Sequence, residues 1–187
     1  MPDLPDERLV EEARGGSVAA FERLMERYER LVYRVALGFT GQADAALDIS
    51  QNVFLRMHEK LGTWRGTGEL RSWIARMAMN EALNWKRGER RHRTATLDDD
   101  VPAYGEHAAP QEHRLTRSET QRLVERSLES LNPRQRLAVV LRYYDDMPVR
   151  DIATALECTE GVAKNVLFRS LRRLRDCLEA SKAEVHR

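Results

Sequence analysis

Apolar residues recur along this chain at helical spacing, with none of the sustained alternation that marks a strand and no hairpin dipeptide between apolar runs. Asp6 to Arg14 predicts a short first helix, ended by Gly15-Gly16. Ser17 suits the cap of a second, whose stripe of Phe21, Leu24, Tyr28, Leu31, Val32, Val35 and Phe39 stops near Gly41. A third helix is predicted from about Ala43 to Leu61, with Ile49, Val53, Met57 and Leu61 inward and Gly62 after it. A fourth runs from about Leu70 to Arg90, with Leu70, Ile74, Met77, Ala78 and Trp85 on one side. Between the last two, TWRGTGE from Thr63 to Glu69 is a glycine-rich loop, which implies a chain reversal or a partner lying close to backbone.

The pattern then breaks. Thr94 to Gln111 holds Pro102, Gly105, Pro110 and three consecutive aspartates, with only scattered apolar residues. It reads as an extended tether rather than a packed element. Helical spacing resumes from about Leu115, through Leu123, Val124, Leu128 and Leu131. Asn132-Pro133 is a cap followed by a helix-starting proline, and Leu137, Val140, Leu141 and Tyr144 carry the next helix. The expectation is an all-α chain of two small helical domains, residues 1–93 and 115–187, joined by an extended acidic linker at 94–114.

Pro148 to Arg175 carries the strongest local signal. Val149, Ile152, Ala153 and Leu156 make one apolar face, with Pro148 at a first helical position. Glu157-Cys158-Thr159 is short enough to be only a turn, and Thr159 can cap a second helix through its hydroxyl. In that helix Ala163, Leu167, Leu171, Leu174 and Leu178 point one way, and Asn165, Phe168, Arg169 and Arg172 the other. Five Lys or Arg and no acid lie between Gly161 and Arg175. This is the sequence form of a helix-turn-helix, whose second helix lies in a DNA major groove. An amphipathic helical hairpin with a solvated basic face has the same pattern.

Charge changes the picture through its placement. The net charge of the 187 residues is +1, yet Lys86 to Arg93 and Lys164 to Arg175 are basic while Thr94 to His113 has five acids and no Lys or Arg. Met1 to Glu12 is polar and acidic, so no signal peptide is expected, and no apolar run approaches the ~20 residues of a membrane span. Two cysteines, Cys158 and Cys177, give no disulfide framework and fit a reducing cytoplasm. There is no phosphate-binding glycine loop and no metal pair on a helix, and the five histidines are scattered. No enzyme activity, metal or cofactor is therefore expected.

Two separate stretches resemble one family. AFERLMERYERLVYRVAL, DISQNVFLRMHEKL and WRGTGELRSWIARMAMNEALNWKR resemble region 2 of bacterial sigma factors, and LNPRQRLAVVLRYYDDMPVRDIATALECTEGVAKNVLFRSLRRLR resembles their region 4. Their order, with only a linker between them, is similar to the extracytoplasmic-function (ECF) group of the sigma-70 family. The resemblance implies a transcription initiation factor with a region 2-like bundle and a region 4-like helix-turn-helix. Its partners would be core RNA polymerase and promoter DNA, as duplex and as single strand. An anti-sigma factor is often found in the family, and a monomer without membrane insertion is expected for the free chain.

The resemblance also implies site residues. Asp48, Gln51, Asn52 and Leu55 correspond to the stretch that lies against the largest polymerase subunit, although the family usually has an acid at Asn52 and often one at Leu47. Trp64 to Arg87 correspond to the part that melts and reads the minus-ten element. Trp64 and Trp73 would stack on bases, Asn80 and Asn84 would pair with base edges, and Arg65, Arg71, Arg76, Lys86 and Arg87 would meet phosphates. Trp73 also fits a core position, and Trp85 fits one better than it fits a DNA contact. The helix after Thr159 would enter the minus-thirty-five duplex. Val162 and Val166 stand where a threonine and an arginine are usual, so base reading would shift to Lys164, Asn165, Arg169 and Arg172, with apolar contact to thymine methyls from Phe168 or Val162. Asp98, Asp99 and Asp100 fall in the segment that threads the polymerase channel, or serve only as a solvated tether. A conventional helix-turn-helix regulator would account for the C-terminal half alone.

Overall fold

The structure is a computed structural model that describes residues 4–66, 69–95, 124 and 126–185. Among these residues every regular element is a helix: α1 (Asp6–Arg14), α2 (Val18–Thr40), α3 (Ala43–Lys60), a 3-10 turn at Leu61–Thr63, α4 (Leu70–Ala95), α5 (Pro133–Tyr143), α6 (Val149–Ala155) and α7 (Glu160–Val185).

The N-terminal group is built on α2, which packs against α1, α3 and α4. Ser17 Oγ accepts from the Ala20 N–H at its start, and Gly41 ends it in the left-handed conformation, φ 69°, with its N–H returned to the Leu37 carbonyl. Leu24, Leu31, Val32, Val35 and Phe39 are all buried, as the stripe predicts. Each such side chain contributes about 1.5–3 kcal/mol on leaving water, so the stripe is what holds the bundle together.

Polar ties fix the elements around this core. Asp6 of α1 accepts from Arg27 and from the Tyr28 hydroxyl on α2. Burial and the Asp6 carboxylate raise the Tyr28 pKa far above the ordinary phenol value. Arg56 of α3 pairs with the buried Glu81 of α4 at 2.8 Å. Arg14 donates to the Leu61 carbonyl at 3.0 and 2.8 Å and to the Trp64 carbonyl, which pins the start of the glycine-rich loop to the end of α1.

In the C-terminal group, Asn132 and Gln135 form a reciprocal capping box at the start of α5. Pro148 stands just outside α6 as its N-cap, one position earlier than the sequence suggests. The turn after α6 is a Schellman motif: Cys158 N–H bonds the Ala153 carbonyl and Glu157 N–H the Thr154 carbonyl, with Glu157 at φ 51°. Thr159 then caps α7, its hydroxyl 3.4 Å from the Val162 nitrogen. Leu128, Leu131 and Val139 make a small cluster of their own with Val124 and Leu174 against it.

Several expectations change. The fourth helix continues to Ala95, past the predicted end near Arg90, because one interior glycine (Gly88) costs only about 1 kcal/mol and strong helix formers flank it. Tyr144 caps α5 and is 45% exposed rather than inward. Leu171 is 40% exposed: at 100° per residue it lies about 60° from the centre of the stripe formed by Ala163, Leu167 and Leu174. The acidic linker, with Asp98, Asp99 and Asp100, and the apolar positions at Leu115 and Leu123 lie outside the described residues.

The two groups also pack on each other. α2 and α4 contact α5, and α4 contacts α6. Their apolar residues merge into one cluster that runs from Leu9 through Ile74 and Val140 to Ile152 and Leu167.

Candidate nucleic-acid interface and partner-binding face

On α3, Ile49, Val53 and Met57 are buried, which turns Asp48, Gln51, Asn52 and Leu55 outward together. Leu47 and Leu55 are 53% and 64% exposed. This face therefore offers one carboxylate, two amides and two apolar side chains. That mixture suits a protein partner better than a phosphate backbone.

On α4, Leu70, Ile74, Ala78 and Ala82 are buried and set the register of the outer face. Asn80 and Asn84, one turn apart, are exposed, and Arg87 Nη1 donates to Asn84 Oδ1 at 3.3 Å. Arg65 is exposed, and Lys86 is half-buried. Trp73 and Trp85 are half-buried and pack on the core. Trp64 departs from the expectation of an open stacking surface: it is 8% exposed and belongs to the core cluster. Its backbone is held by Arg14, so the glycine-rich loop begins with its aromatic side chain turned inward.

Arg71 and Arg76 are not open to solvent alone. Arg71 Nε donates to Asp145 Oδ2 at 3.0 Å and its Nη2 to the Asp145 carbonyl at 2.7 Å. Arg76 pairs with Glu157 in the helix-turn-helix turn. Sequence reasoning passed over Asp145 and Glu157. Their only signal was position, as acids flanking a basic motif, and nothing in periodicity says which cation an acid will meet.

On α7, Ala163, Leu167 and Ser170 are buried, and Lys164, Asn165, Phe168, Arg169 and Arg172 all lie exposed. Phe168 is 68% exposed, unusual for an aromatic ring without a partner surface. Val166 is half-buried against the core, so the residue in the usual arginine position faces away from a groove. The exposed arc thus combines an amide, an aromatic ring and guanidinium groups, the chemistry of base-edge, thymine-methyl and phosphate contact.

Among the described residues no group of three or more His, Cys, Asp or Glu could hold a metal ion. None of the described helices is long and apolar enough to cross a membrane.

Known proteins share this arrangement. Residues 24–92 match the family model of Sigma-70 region 2, and residues 121–174 that of Sigma-70, region 4. The RNA polymerase sigma-H factor of Pseudomonas aeruginosa is 28% identical over 172 residues, 88% of this chain and 89% of that protein. The ECF RNA polymerase sigma-E factor of Escherichia coli K12 is 26% identical over 174 residues, 89% of this chain and 91% of that protein. The fold is also that of CnrH in its complex with the cytosolic domain of CnrY, at a TM-score of 0.71 and 19% identity over 94% of this chain and 97% of that one. The sigma factor RpoE of Bartonella quintana, solved with the anti-sigma factor NepR, aligns at a TM-score of 0.58 and 20% identity over 82% of this chain and 95% of that one. With both regions matched in order on a helical bundle and a helix-turn-helix, the chain belongs to the sigma-70 family of RNA polymerase sigma factors, in its extracytoplasmic-function group.

Proposed function

We propose that this sigma factor divides promoter recognition between residues 1–93, which bind core RNA polymerase and the minus-ten element, and residues 115–187, which bind the minus-thirty-five duplex. Residues 94–114 serve as the tether. The observation that carries this reading is the pair of outward faces. The α7 face presents Lys164, Asn165, Phe168, Arg169 and Arg172, and the α4 face presents Asn80, Asn84 and Arg87. Paired amides suit the edges of unstacked bases, and a basic helix with one aromatic ring suits a major groove. The α3 face, with Asp48, Gln51, Asn52 and Leu55, docks on the polymerase.

The chain itself performs no covalent step and works in the cytoplasm beside the polymerase. Binding to the enzyme supplies what the domains lack singly: two weak contacts become one event when both are tethered to the same body. Relatives of known structure were solved with the cytosolic domain of CnrY and with an anti-sigma factor. A protein inhibitor of the same kind is the partner to seek for this chain.

The direct test is transcription from a promoter library with core polymerase and this chain, with the start sites sequenced. Selective initiation at a shared pair of upstream elements is the expected result. Tight, specific duplex binding without polymerase, and no initiation with it, would favour a conventional regulator.

A further inference from the structure

A cavity of about 340 Å³ lies where α2, α4 and the residues leading into α5 meet. Its floor is Phe39, Leu131 and Arg136, all buried. Leu83 and Lys86 on its wall are half-buried, and Arg87, Glu129 and Pro133 at its rim are exposed. The space is therefore closed below and reached from the surface. Its size falls at the lower end of the roughly 300–1,000 Å³ typical of small-molecule sites.

Arg136 makes this more than a packing gap. It is 5% exposed. Its Nη1 donates to the Phe39 carbonyl at 3.2 Å, and its guanidinium stands 5.4 Å from the centroid of the Phe39 ring. Its Nε has no partner. A guanidinium keeps its proton inside a protein, so the cavity floor carries a buried charge with an unused donor. A buried donor without an acceptor is costly and rare. Burial pulls the Arg136 pKa below its ordinary value, and the Glu129 carboxylate acts in the opposite sense. An anion bound at Nε would add to the effect of Glu129 and complete the guanidinium's hydrogen bonding.

The rest of the lining narrows the ligand. Lys86, Arg87 and Arg136 set three positive charges against the single carboxylate of Glu129, so the described lining favours a doubly charged anion. Guanidinium and ammonium groups together are the chemistry of phosphate recognition. Phe39, Leu83, Leu131 and Pro133 add apolar surface that an inorganic ion would leave uncovered. We propose that this cavity is a binding site for a small organic phosphate monoester, with its dianionic head on Arg136 and its apolar body along Leu83 and Leu131. The inference stands apart from promoter reading and polymerase docking, because Arg136, Leu83 and Leu131 belong to neither assignment. The side chains shared with the promoter assignment are Lys86 and Arg87.

Phenyl phosphate is the probe, with inorganic phosphate and benzoate as the head alone and the body with one charge. Each is titrated into the full chain with labelled leucine methyls, and NMR reads both the place and the affinity of binding. Phenyl phosphate should shift Leu83 and Leu131 but not Leu171, which is exposed on α7 beside the basic face. It should bind roughly tenfold tighter than either control, since only it satisfies the charge and the apolar walls together. Arg136→Met should weaken it by roughly tenfold or more, the worth of one hydrogen bond to a charged group. Glu129→Gln should tighten it. Should Arg136→Met fail to fold, Leu83→Trp still decides the matter. The larger side chain fills the cavity from a half-buried position and keeps Arg136, so it should abolish the Leu131 shifts while circular dichroism stays unchanged. Shifts confined to Leu171, or undiminished binding by Leu83→Trp, would mean ion pairing at the surface and overturn the site. Benzoate or inorganic phosphate binding as tightly as phenyl phosphate would overturn the phosphate monoester.

Discussion

At the scale of single residues, backbone conformation limits what can stand beside the helix-turn-helix. Asp146 sits at φ 48° in the bend between α5 and α6 and is exposed. Aspartate tolerates this region better than most residues, and a β-branched side chain tolerates it worst. Asp146→Val should therefore lower stability by about 1–2 kcal/mol. Asp146→Gly should be nearly neutral, because the strain relieved and the unfolded-state entropy gained offset each other. Thermal denaturation of the two variants side by side checks this, and equal losses would mean the side chain matters and the backbone does not.

The same scale decides which side chains read sequence. Asn165 is short, exposed and bifunctional, and adenine is its natural partner. Its loss should cost roughly 1–3 kcal/mol at one base pair and relax preference there. Arg172 lies two turns further along α7, is exposed, and is expected to meet phosphate. Its loss should weaken all promoters alike and flatten the salt dependence by about one counterion. Selection from a randomised minus-thirty-five library with Asn165→Ala and Arg172→Ala tests both; a shifted consensus with Arg172→Ala alone would reverse the roles.

At the scale of elements, periodicity made most of this fold legible. The stripe on α2 named most of its buried residues, though Phe21 is only half-buried, and Ser17, Gly41, Asn132 and Thr159 marked helix ends because each signal is local chemistry: a side-chain acceptor or a permissive backbone. What was not legible depends on partners distant in sequence. Trp64 opens a glycine-rich loop and looks free, yet Arg14, fifty residues earlier, holds its carbonyl and the ring turns into the core. Asp145 falls outside both apolar stripes that flank it, and it is gripped from α2 and α4. The α3 face was legible because amphipathicity alone exposes it, and its assignment is testable as an element. Asp48→Arg with Gln51→Arg should abolish co-purification with core polymerase while circular dichroism stays unchanged, since both positions are exposed. Undiminished co-purification would move the docking surface elsewhere.

At the scale of the whole molecule, opening a promoter requires the bundle to hold bases out of their stack, and unstacking costs free energy that the enzyme complex must supply. Asn80 and Trp64 both lie in the stretch implied to do this, but their surroundings differ. Asn80 is exposed on α4, so Asn80→Ala should leave the bundle folded and remove only a contact to an unstacked base. Open-complex formation, followed by permanganate reactivity, should fall on duplex promoter and recover on a template already mismatched at the minus-ten element. There the unstacking cost is gone and a lost base contact matters less. Trp64 is buried, and truncating a buried aromatic typically costs about 3–5 kcal/mol. Trp64→Ala should therefore lower the melting temperature and depress open complexes equally on both templates, because what it removes is folded protein. A variant at Trp64 that keeps its stability and is rescued by the mismatch would place this ring on DNA after all. The loop between Thr63 and Glu69 would then have to turn outward when the polymerase and promoter engage it.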